Sequence, residues 1–205
     1  MLAINQASIK ELETKSITDE QLVKGCQQGD CHSFRLLYRR YQQRVRSTLY
    51  QLCGSEMLED LVQEVFLRAW KGLPQLRESS YFSTWLYRIS WNVASDRRKK
   101  LAKHQPQLNQ TKSKFDSDES NLNLTSSSSQ DTPDLMRLHY QDLVQRGLQT
   151  LSLEHRAVLI LHDLEDLPQQ EIAQILNIPK GTVKSRLYYA RNALKKFLQQ
   201  QDICL

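Results

Sequence analysis

Four side chains along one stretch of the sequence have the chemistry to bind unpaired nucleotides. If residues 81–93 form a helix, Tyr81, Trp85, Arg88 and Asn92 share one face, because they recur at intervals of three and four residues. Aromatic rings stack on unpaired bases, arginines contact the phosphate backbone, and an amide can hydrogen-bond the edge of a base. A tryptophan at this spacing also suits the core of a small helical domain, so both interpretations of Trp85 stay open.

A second group of side chains, near the C-terminal end, has the chemistry to contact double-stranded DNA. Residues 168–190 have the spacing of a helix-turn-helix, with a small Ala173 in the first helix, Asn177 at the turn and Val183 returning to the core. The second helix would expose basic and hydrogen-bonding side chains that reach phosphates and base edges. These are Lys180, Thr182, Lys184, Ser185, Arg186, Tyr188, Tyr189 and Arg191. A helical hairpin that only packs against its neighbours is the alternative.

Positive charge is concentrated close to both groups. The chain carries a formal net charge of +5. One basic patch consists of Arg97, Arg98, Lys99, Lys100 and Lys103. A second lies between Lys180 and Lys196, where no acidic residue occurs. Two separate basic patches indicate a polyanion contacted at two places, although solvated helix faces would show the same pattern.

The elements that must position these side chains are helical throughout. Apolar residues recur at helical spacing over residues 17–104 and again over residues 134–200, whereas residues 105–133 are polar and serine-rich. The sequence therefore predicts an all-α protein with two small helical domains joined by a flexible linker. Residues 1–16 and 201–205 are predicted to be terminal tails.

Composition and residue types argue against several other classes of protein. Only six glycines and five prolines are present, which disfavours a turn-rich β fold and a glycine-loop nucleotide site. The four cysteines lack zinc-ligand spacing, and no carboxylate pair or nucleophile accompanies them, so we expect no catalytic residue, metal or cofactor. Whether the cysteines respond to oxidation stays open. No apolar stretch approaches 18 residues and no secretory signal is recognisable, so we expect a cytoplasmic protein without membrane insertion.

Two blocks of the sequence resemble bacterial RNA polymerase sigma factors. The run DLVQEVFLRAW at residues 60–70, followed by FSTWLYRI at 82–89 and Asn92, resembles sigma region 2. The run LSLEHR at 151–156, together with the helix-turn-helix, resembles region 4. No further domain separates the blocks, which makes the chain most similar to the extracytoplasmic-function (ECF, group 4) subfamily of the sigma-70 family. The resemblance implies a subunit that directs core RNA polymerase to promoters and initiates transcription.

The resemblance also implies roles for individual residues. The clamp coiled coil of the polymerase would bind Asp60, Gln63, Glu64, Phe66 and Arg68. The −10 promoter element would be captured as a melted strand by Arg77, Ser80, Tyr81, Trp85, Arg88, Asn92, Arg97, Arg98 and Lys99. The helix-turn-helix residues named above would read the −35 element as duplex, and the polymerase flap and an anti-sigma factor are further implied partners. The loop at residues 77–80 departs from the Arg-Gly-Asp/Glu sequence common in the subfamily, so its base preference is not carried over.

The main alternative is a stand-alone helix-turn-helix transcriptional regulator. It would bind specific duplex DNA tightly without polymerase, and it would not need the aromatic and basic stripe of the first domain. A helical enzyme lacks any supporting constellation of side chains, and a pure interaction adaptor would leave both basic patches unexplained.

Overall fold

The computed structural model describes residues 17–104 and 133–201, and every regular element in these two ranges is helical, as predicted. Residues 17–104 form the first lobe. Its helices are α1 (Asp19–Gln27), α2 (Cys31–Cys53), α3 (Leu58–Gly72) and α4 (Phe82–His104). Short 3₁₀ turns at Leu73–Gln75 and Ser79–Tyr81 connect α3 to α4.

Residues 133–201 form the second lobe. Its elements are α5 (Pro133–Thr150), α6 (Leu153–Leu159), a π-helical segment (Ile160–Leu164), α7 (Gln169–Leu176) and α8 (Lys180–Gln199). Pro133, which the sequence places in the linker, is the first residue of α5, a position where a missing N–H costs nothing. The predicted N-terminal tail, the rest of the predicted linker and the last four residues lie outside the described residues.

Capping residues set the helix boundaries of the first lobe. Thr18 and Gln21 form a capping box at the start of α1. The carboxylate of Asp30 accepts hydrogen bonds from the backbone N–H groups of His32 (2.8 Å) and Ser33 (3.1 Å), which starts α2. Gly54, with a φ of 81°, ends α2, because glycine adopts a positive φ without a steric penalty.

The predicted helix-turn-helix is present in the second lobe. Asn177 ends α7 in the left-handed conformation, with φ 53° and ψ 51°, and α8 begins directly after Pro179. The N–H of Ile178 donates to the carbonyl oxygen of Ala173 across the turn at 3.0 Å. Val183 is fully buried, so α8 packs on α7 through the side chain that the sequence pattern predicts.

The two lobes pack against each other through one continuous apolar core. Val65 and Leu86 of the first lobe belong to the same buried cluster as Val158 and Ile172 of the second lobe. Burial of apolar surface stabilises such contacts by about 25 cal/mol for each Å² removed from water. Among the helices of residues 17–104 and 133–201, none is long and apolar enough to cross a membrane.

Side chains of the second lobe also complete the end of α2. The amide of Gln145 donates to the carbonyl oxygen of Tyr50 at 2.9 Å, and the guanidinium of Arg156 donates to the carbonyl oxygen of Leu52 at 2.6 Å. The carbonyl oxygen of Tyr50 also accepts from the N–H of Gly54 at 2.7 Å, so Gln145 supplies a second donor there. Carbonyl groups in the last turn of a helix lack intrahelical partners, and Arg156 supplies a partner for that of Leu52.

Candidate functional site

A pocket formed by the first lobe and by Gln174 of the second lobe gathers the aromatic and basic side chains singled out in the sequence. We call it the aromatic pocket; it measures about 350 Å³ and is lined by Leu76, Arg77, Glu78, Tyr81, Thr84, Trp85, Arg88 and Gln174. Four residues predicted to bind unpaired nucleotides therefore meet at one place, namely Arg77, Tyr81, Trp85 and Arg88. Two others, Ser80 and Asn92, are exposed nearby on the chain but do not line the pocket.

Trp85 fits both interpretations of its spacing. Its indole packs against the core residue Phe82, with 6.0 Å between ring centroids, while the same side chain lines the aromatic pocket. A methyl group on Gly72 would lie 2.8 Å from Cζ2 of Trp85, so only glycine leaves room for the ring there. Tyr81 is 51% exposed, which leaves its ring available for stacking. The pocket thus combines one fixed aromatic wall with one accessible ring.

In the basic patch beyond this pocket, Arg97 does not have the exposed position that the prediction requires. The Arg97 side chain is only 11% exposed and forms an ion pair with Glu56 at 3.0 Å. Its charge is neutralised and largely covered, so Arg97 is not available to hold a nucleic-acid backbone in this structure. Arg98 pairs with Glu154 of the second lobe at 3.2 Å, whereas Lys99 is exposed.

The predicted polymerase-binding residues lie on α3, but not all on its surface. Asp60 and Gln63 are exposed, and Glu64 pairs with Arg68 at 2.7 Å. Hydrogen bonds to the carboxylates of Glu64 and Asp96 raise the pKa of Arg68, so that guanidinium keeps its charge.

Phe66 corrects this prediction. It is 5% exposed, and its ring lies 4.6 Å from that of Tyr38, measured between centroids. The ring therefore supports the helix from inside and does not form part of the surface. Leu67 and Trp70, which the sequence analysis did not single out, are exposed on α3 instead. Their signal was available in the sequence, because large apolar residues off the core stripe of a helix indicate a contact surface.

The recognition helix α8 displays most of its predicted side chains. Thr182 and Arg186 are half-buried; the exposed ones are Lys180, Lys184, Ser185, Tyr188, Tyr189 and Arg191. The hydroxyl of Ser185 donates to the carbonyl oxygen of Thr182 at 3.1 Å, which leaves its lone pairs free to accept. The rings of Tyr188 and Tyr189 meet edge to face, with 5.6 Å between centroids.

Arg191 has a partner that the sequence pattern did not predict. Its Nε donates to Asp163 at 3.0 Å, and His162 lies against the same carboxylate. The hydrogen bonds from Arg191 hold the pKa of Asp163 below its ordinary value. No acidic residue lies near Arg191 along α8, and its partner Asp163 belongs to the π-helical segment, 28 residues earlier in the sequence.

Metal binding finds no support in residues 17–104 and 133–201, where no three His, Cys, Asp or Glu side chains are grouped to hold an ion. Burial raises the pKa of the Cys26 thiol to about 11, and it also raises the pKa of Cys53. Both groups are therefore protonated near neutral pH, where a thiol is a weak nucleophile and a weak metal ligand.

The sequence matches known proteins along most of its length. Residues 37–104 match the family model for sigma-70 region 2, and residues 141–194 match the model for sigma-70 region 4. The chain is 33% identical to the ECF RNA polymerase sigma-E factor of Escherichia coli K12 over 186 residues, which cover 91% of this chain and 97% of that protein. It is 31% identical to the sigma-E factor of Haemophilus influenzae over 188 residues, or 90% of this chain and 97% of that protein.

Solved structures show the same fold. CnrH, in complex with the cytosolic domain of CnrY, superposes with a TM-score of 0.63 at 22% identity and covers 89% of this chain and 97% of its own. The sigma factor RpoE of Bartonella quintana, in complex with the anti-sigma factor NepR, gives a TM-score of 0.61 at 22% identity. The match covers 81% of this chain and 96% of RpoE. Because the sequence match covers 91% of the chain at 33% identity, the chain belongs to the ECF family of RNA polymerase sigma factors.

Proposed function

We propose that this chain directs core RNA polymerase to promoters, with α8 reading the −35 element as duplex and the aromatic pocket capturing the −10 element as a melted strand. The observation that carries the proposal is that one chain combines an exposed basic recognition helix with a pocket built from Tyr81, Trp85 and Arg88. A protein that recognises only duplex DNA needs only the helix. The pocket adds a site for a base that has left the double helix.

At the −35 element, α8 lies in the major groove. The exposed Lys180 and Lys184 reach phosphates, and Arg186 has the donor geometry to contact the edge of a guanine. A good bidentate contact of this kind discriminates against the wrong base by about 1–3 kcal/mol.

At the −10 element, stacking offsets part of the cost of melting. Unstacking and unpairing a base costs a few kcal/mol, and stacking on an aromatic side chain returns about 1–3 kcal/mol for each base. Arg77 and Arg88 at the rim of the pocket bind the backbone of the captured strand, and the exposed Asn92 and Lys99 extend that path along α4.

The polymerase binds the acidic and polar face of α3. Asp60, Gln63 and Glu64 meet basic residues of the clamp coiled coil, and the second lobe meets the flap. The chain itself performs no covalent chemistry, which the polymerase supplies, and it works in the cytoplasm. Two proteins of the same fold are known in complex with the cytosolic domain of CnrY or with the anti-sigma factor NepR, which supports control of this chain by an anti-sigma factor.

Reconstituted transcription tests the proposal. The purified chain is added to sigma-free core polymerase with a library of promoter fragments, and the initiated transcripts are sequenced. We expect shared start sites preceded by two conserved elements at −10 and −35. Absence of initiation, together with tight sequence-specific binding of the chain alone to duplex DNA, would identify a stand-alone regulator instead.

A charge reversal on α3 tests the polymerase surface separately. Glu64→Lys should abolish co-purification with core polymerase, because it replaces an acceptor with a like charge facing a basic partner. Glu20→Lys makes the same change at an exposed position of α1 and should leave binding intact. Retained binding by Glu64→Lys would refute the assignment of this surface, provided that far-UV circular dichroism shows both variants folded.

A further inference from the structure

The backbone between α6 and α7 is irregular at one point. The π-helical segment Ile160–Leu164 follows α6 directly, the N–H of Glu165 donates to the carbonyl oxygen of Ile160 at 3.1 Å, and Asp166 adopts a left-handed conformation with φ 53°. A π-helical turn holds one more residue than an α-helical turn and so redirects the side chains that follow; such turns are frequent at functional sites. Here the redirected side chain is that of Glu165.

The carboxylate of Glu165 points out of its own lobe. Its Oε1 accepts a hydrogen bond from the hydroxyl of Thr48 on α2 at 3.0 Å, and its Oε2 accepts one from the hydroxyl of Tyr87 on α4. Thr48 and Tyr87 are buried, with 2% and 6% exposure. Hydrogen bonds from neutral donors to a carboxylate are stronger than ordinary ones, and more so when water is excluded. Both oxygens of Glu165 are therefore engaged by the first lobe.

Helix α7 continues the same seam across the aromatic pocket. The hydroxyl of Thr84 donates to Oε2 of Glu171 at 3.1 Å, and the guanidinium of Arg88 donates to the carbonyl oxygen of Gln174. Gln174 also forms part of the wall of the aromatic pocket. Oxygen atoms of the second lobe thus accept hydrogen bonds from Thr84 and Arg88. The proposed function assigns Arg88 to the melted strand, and Thr84 lines the same pocket. Arg88 is exposed, but the guanidinium nitrogen that donates to Gln174 is not free to bind a DNA backbone at the same time.

We infer that Glu165, with α7, is an autoinhibitory latch that holds the two lobes together in the free chain and covers the Thr84–Arg88 side of the aromatic pocket. The inference rests on the proposed function of that pocket, because covering it matters only if a strand must enter. When a binding-competent state is populated only in part, the apparent affinity for the ligand falls by the same fraction. The free chain therefore binds single-stranded DNA more weakly than its pocket permits.

The test measures binding of single-stranded DNA by the full chain without polymerase. The probe is a fluorescein-labelled, 20-nucleotide single-stranded DNA of random sequence, followed by fluorescence anisotropy. Glu165→Ala removes the central acceptor, and Glu171→Ala removes a second one on a different element. Glu20→Ala removes the same charge from an exposed position on α1, away from the seam.

We expect Glu165→Ala to bind the probe about tenfold more tightly than the wild-type chain, with a smaller gain for Glu171→Ala and less than a twofold change for Glu20→Ala. Adding Arg88→Ala to Glu165→Ala should remove most of the gain, since the strand then loses the side chain that Gln174 had engaged. Small-angle X-ray scattering should show a larger radius of gyration for Glu165→Ala than for the wild-type chain or Glu20→Ala.

Two results would overturn the latch. One is an unchanged radius of gyration with unchanged probe affinity in both Glu165→Ala and Glu171→Ala. The other is a gain in affinity in Glu20→Ala as large as that in Glu165→Ala, which would show that the effect comes from the change in net charge. Because these measurements contain no polymerase, they separate the two proposals: a chain that opens on loss of Glu165 but never directs initiation refutes the proposed function alone. A chain that directs initiation but shows no difference between the variants refutes the latch alone.

Discussion

The left-handed residue at the turn of the helix-turn-helix offers a sharp test of how the sequence determines this fold. Asn177 has φ 53° and ψ 51° and is exposed, so its contribution is conformational and does not depend on packing. The left-handed conformation costs a residue with a Cβ atom roughly 1–2 kcal/mol, and Asn is among the few non-glycine residues that adopt it readily. Asn177→Ala should therefore destabilise the chain by about 1–2 kcal/mol, whereas Asn177→Gly should stay close to the wild type.

The matched control is the same substitution at an exposed position inside a helix. Asn192 lies on the surface of α8, where alanine is the better helix former by up to about 0.7 kcal/mol. Asn192→Ala should therefore be neutral or slightly stabilising, so that one chemical change has opposite signs at the two positions.

Urea unfolding monitored by circular dichroism measures both effects. With a slope of about 2–3 kcal/mol per M, a loss of 1–2 kcal/mol lowers the midpoint by roughly 0.5 M urea. An unchanged midpoint for Asn177→Ala would refute the conformational argument. An equal loss in Asn192→Ala would do the same, since it would assign the effect to the amide and not to the backbone.

Three further predictions follow from the described contacts. Arg186→Ala should weaken binding to promoter fragments by about 1–3 kcal/mol in a gel-shift titration with holoenzyme, and preference at one −35 position should relax, because a base-reading contact is lost. Asp163→Asn should lower the urea midpoint at neutral pH, where Asp163 is ionised and bonded to Arg191. Because the folded-state pKa of Asp163 is lowered from 3.8, the stability that this bond contributes is lost as the pH falls through the lowered pKa. The urea midpoints of the variant and the wild-type chain should therefore converge in acid. Iodoacetamide at about pH 8 should label the exposed Cys31 well before the buried Cys26, whose raised pKa of about 11 keeps it protonated, and peptide mass spectrometry would detect the reverse order if the burial were wrong.

The sequence predicts those parts of the fold that depend on local patterns. The turn at Asn177, the return of Val183 to the core and the apolar stripe of α3 follow from helical spacing and from the conformational preference of single residues, and the structure shows each of them. The meeting of Tyr81, Trp85 and Arg88 in one pocket is likewise a consequence of their spacing, although Tyr81 lies in the 3₁₀ turn just before α4 and not in α4 itself.

The features that the sequence did not predict depend on contacts between distant elements. Phe66 belongs to the apolar stripe of α3, yet the resemblance placed it among the polymerase-binding residues; it is buried against Tyr38. Arg97 belongs to a basic run along the sequence, yet Glu56 neutralises it from the turn between α2 and α3. The engagement of Glu165 requires an irregular π-helical turn, and no simple periodicity predicts where such a turn will form.

The bonds from the second lobe to the end of α2 affect the cooperativity of unfolding. Separation of the lobes would remove the donors Gln145 and Arg156 from the carbonyl groups of Tyr50 and Leu52, so the last turn of α2 would fray as the seam opens. A helix of one lobe is thus thermodynamically linked to the position of the other. In the closed chain, calorimetry should record a single cooperative transition for both lobes, whereas a chain opened by polymerase or by substitution would exchange the amide protons of this turn well before those of α3.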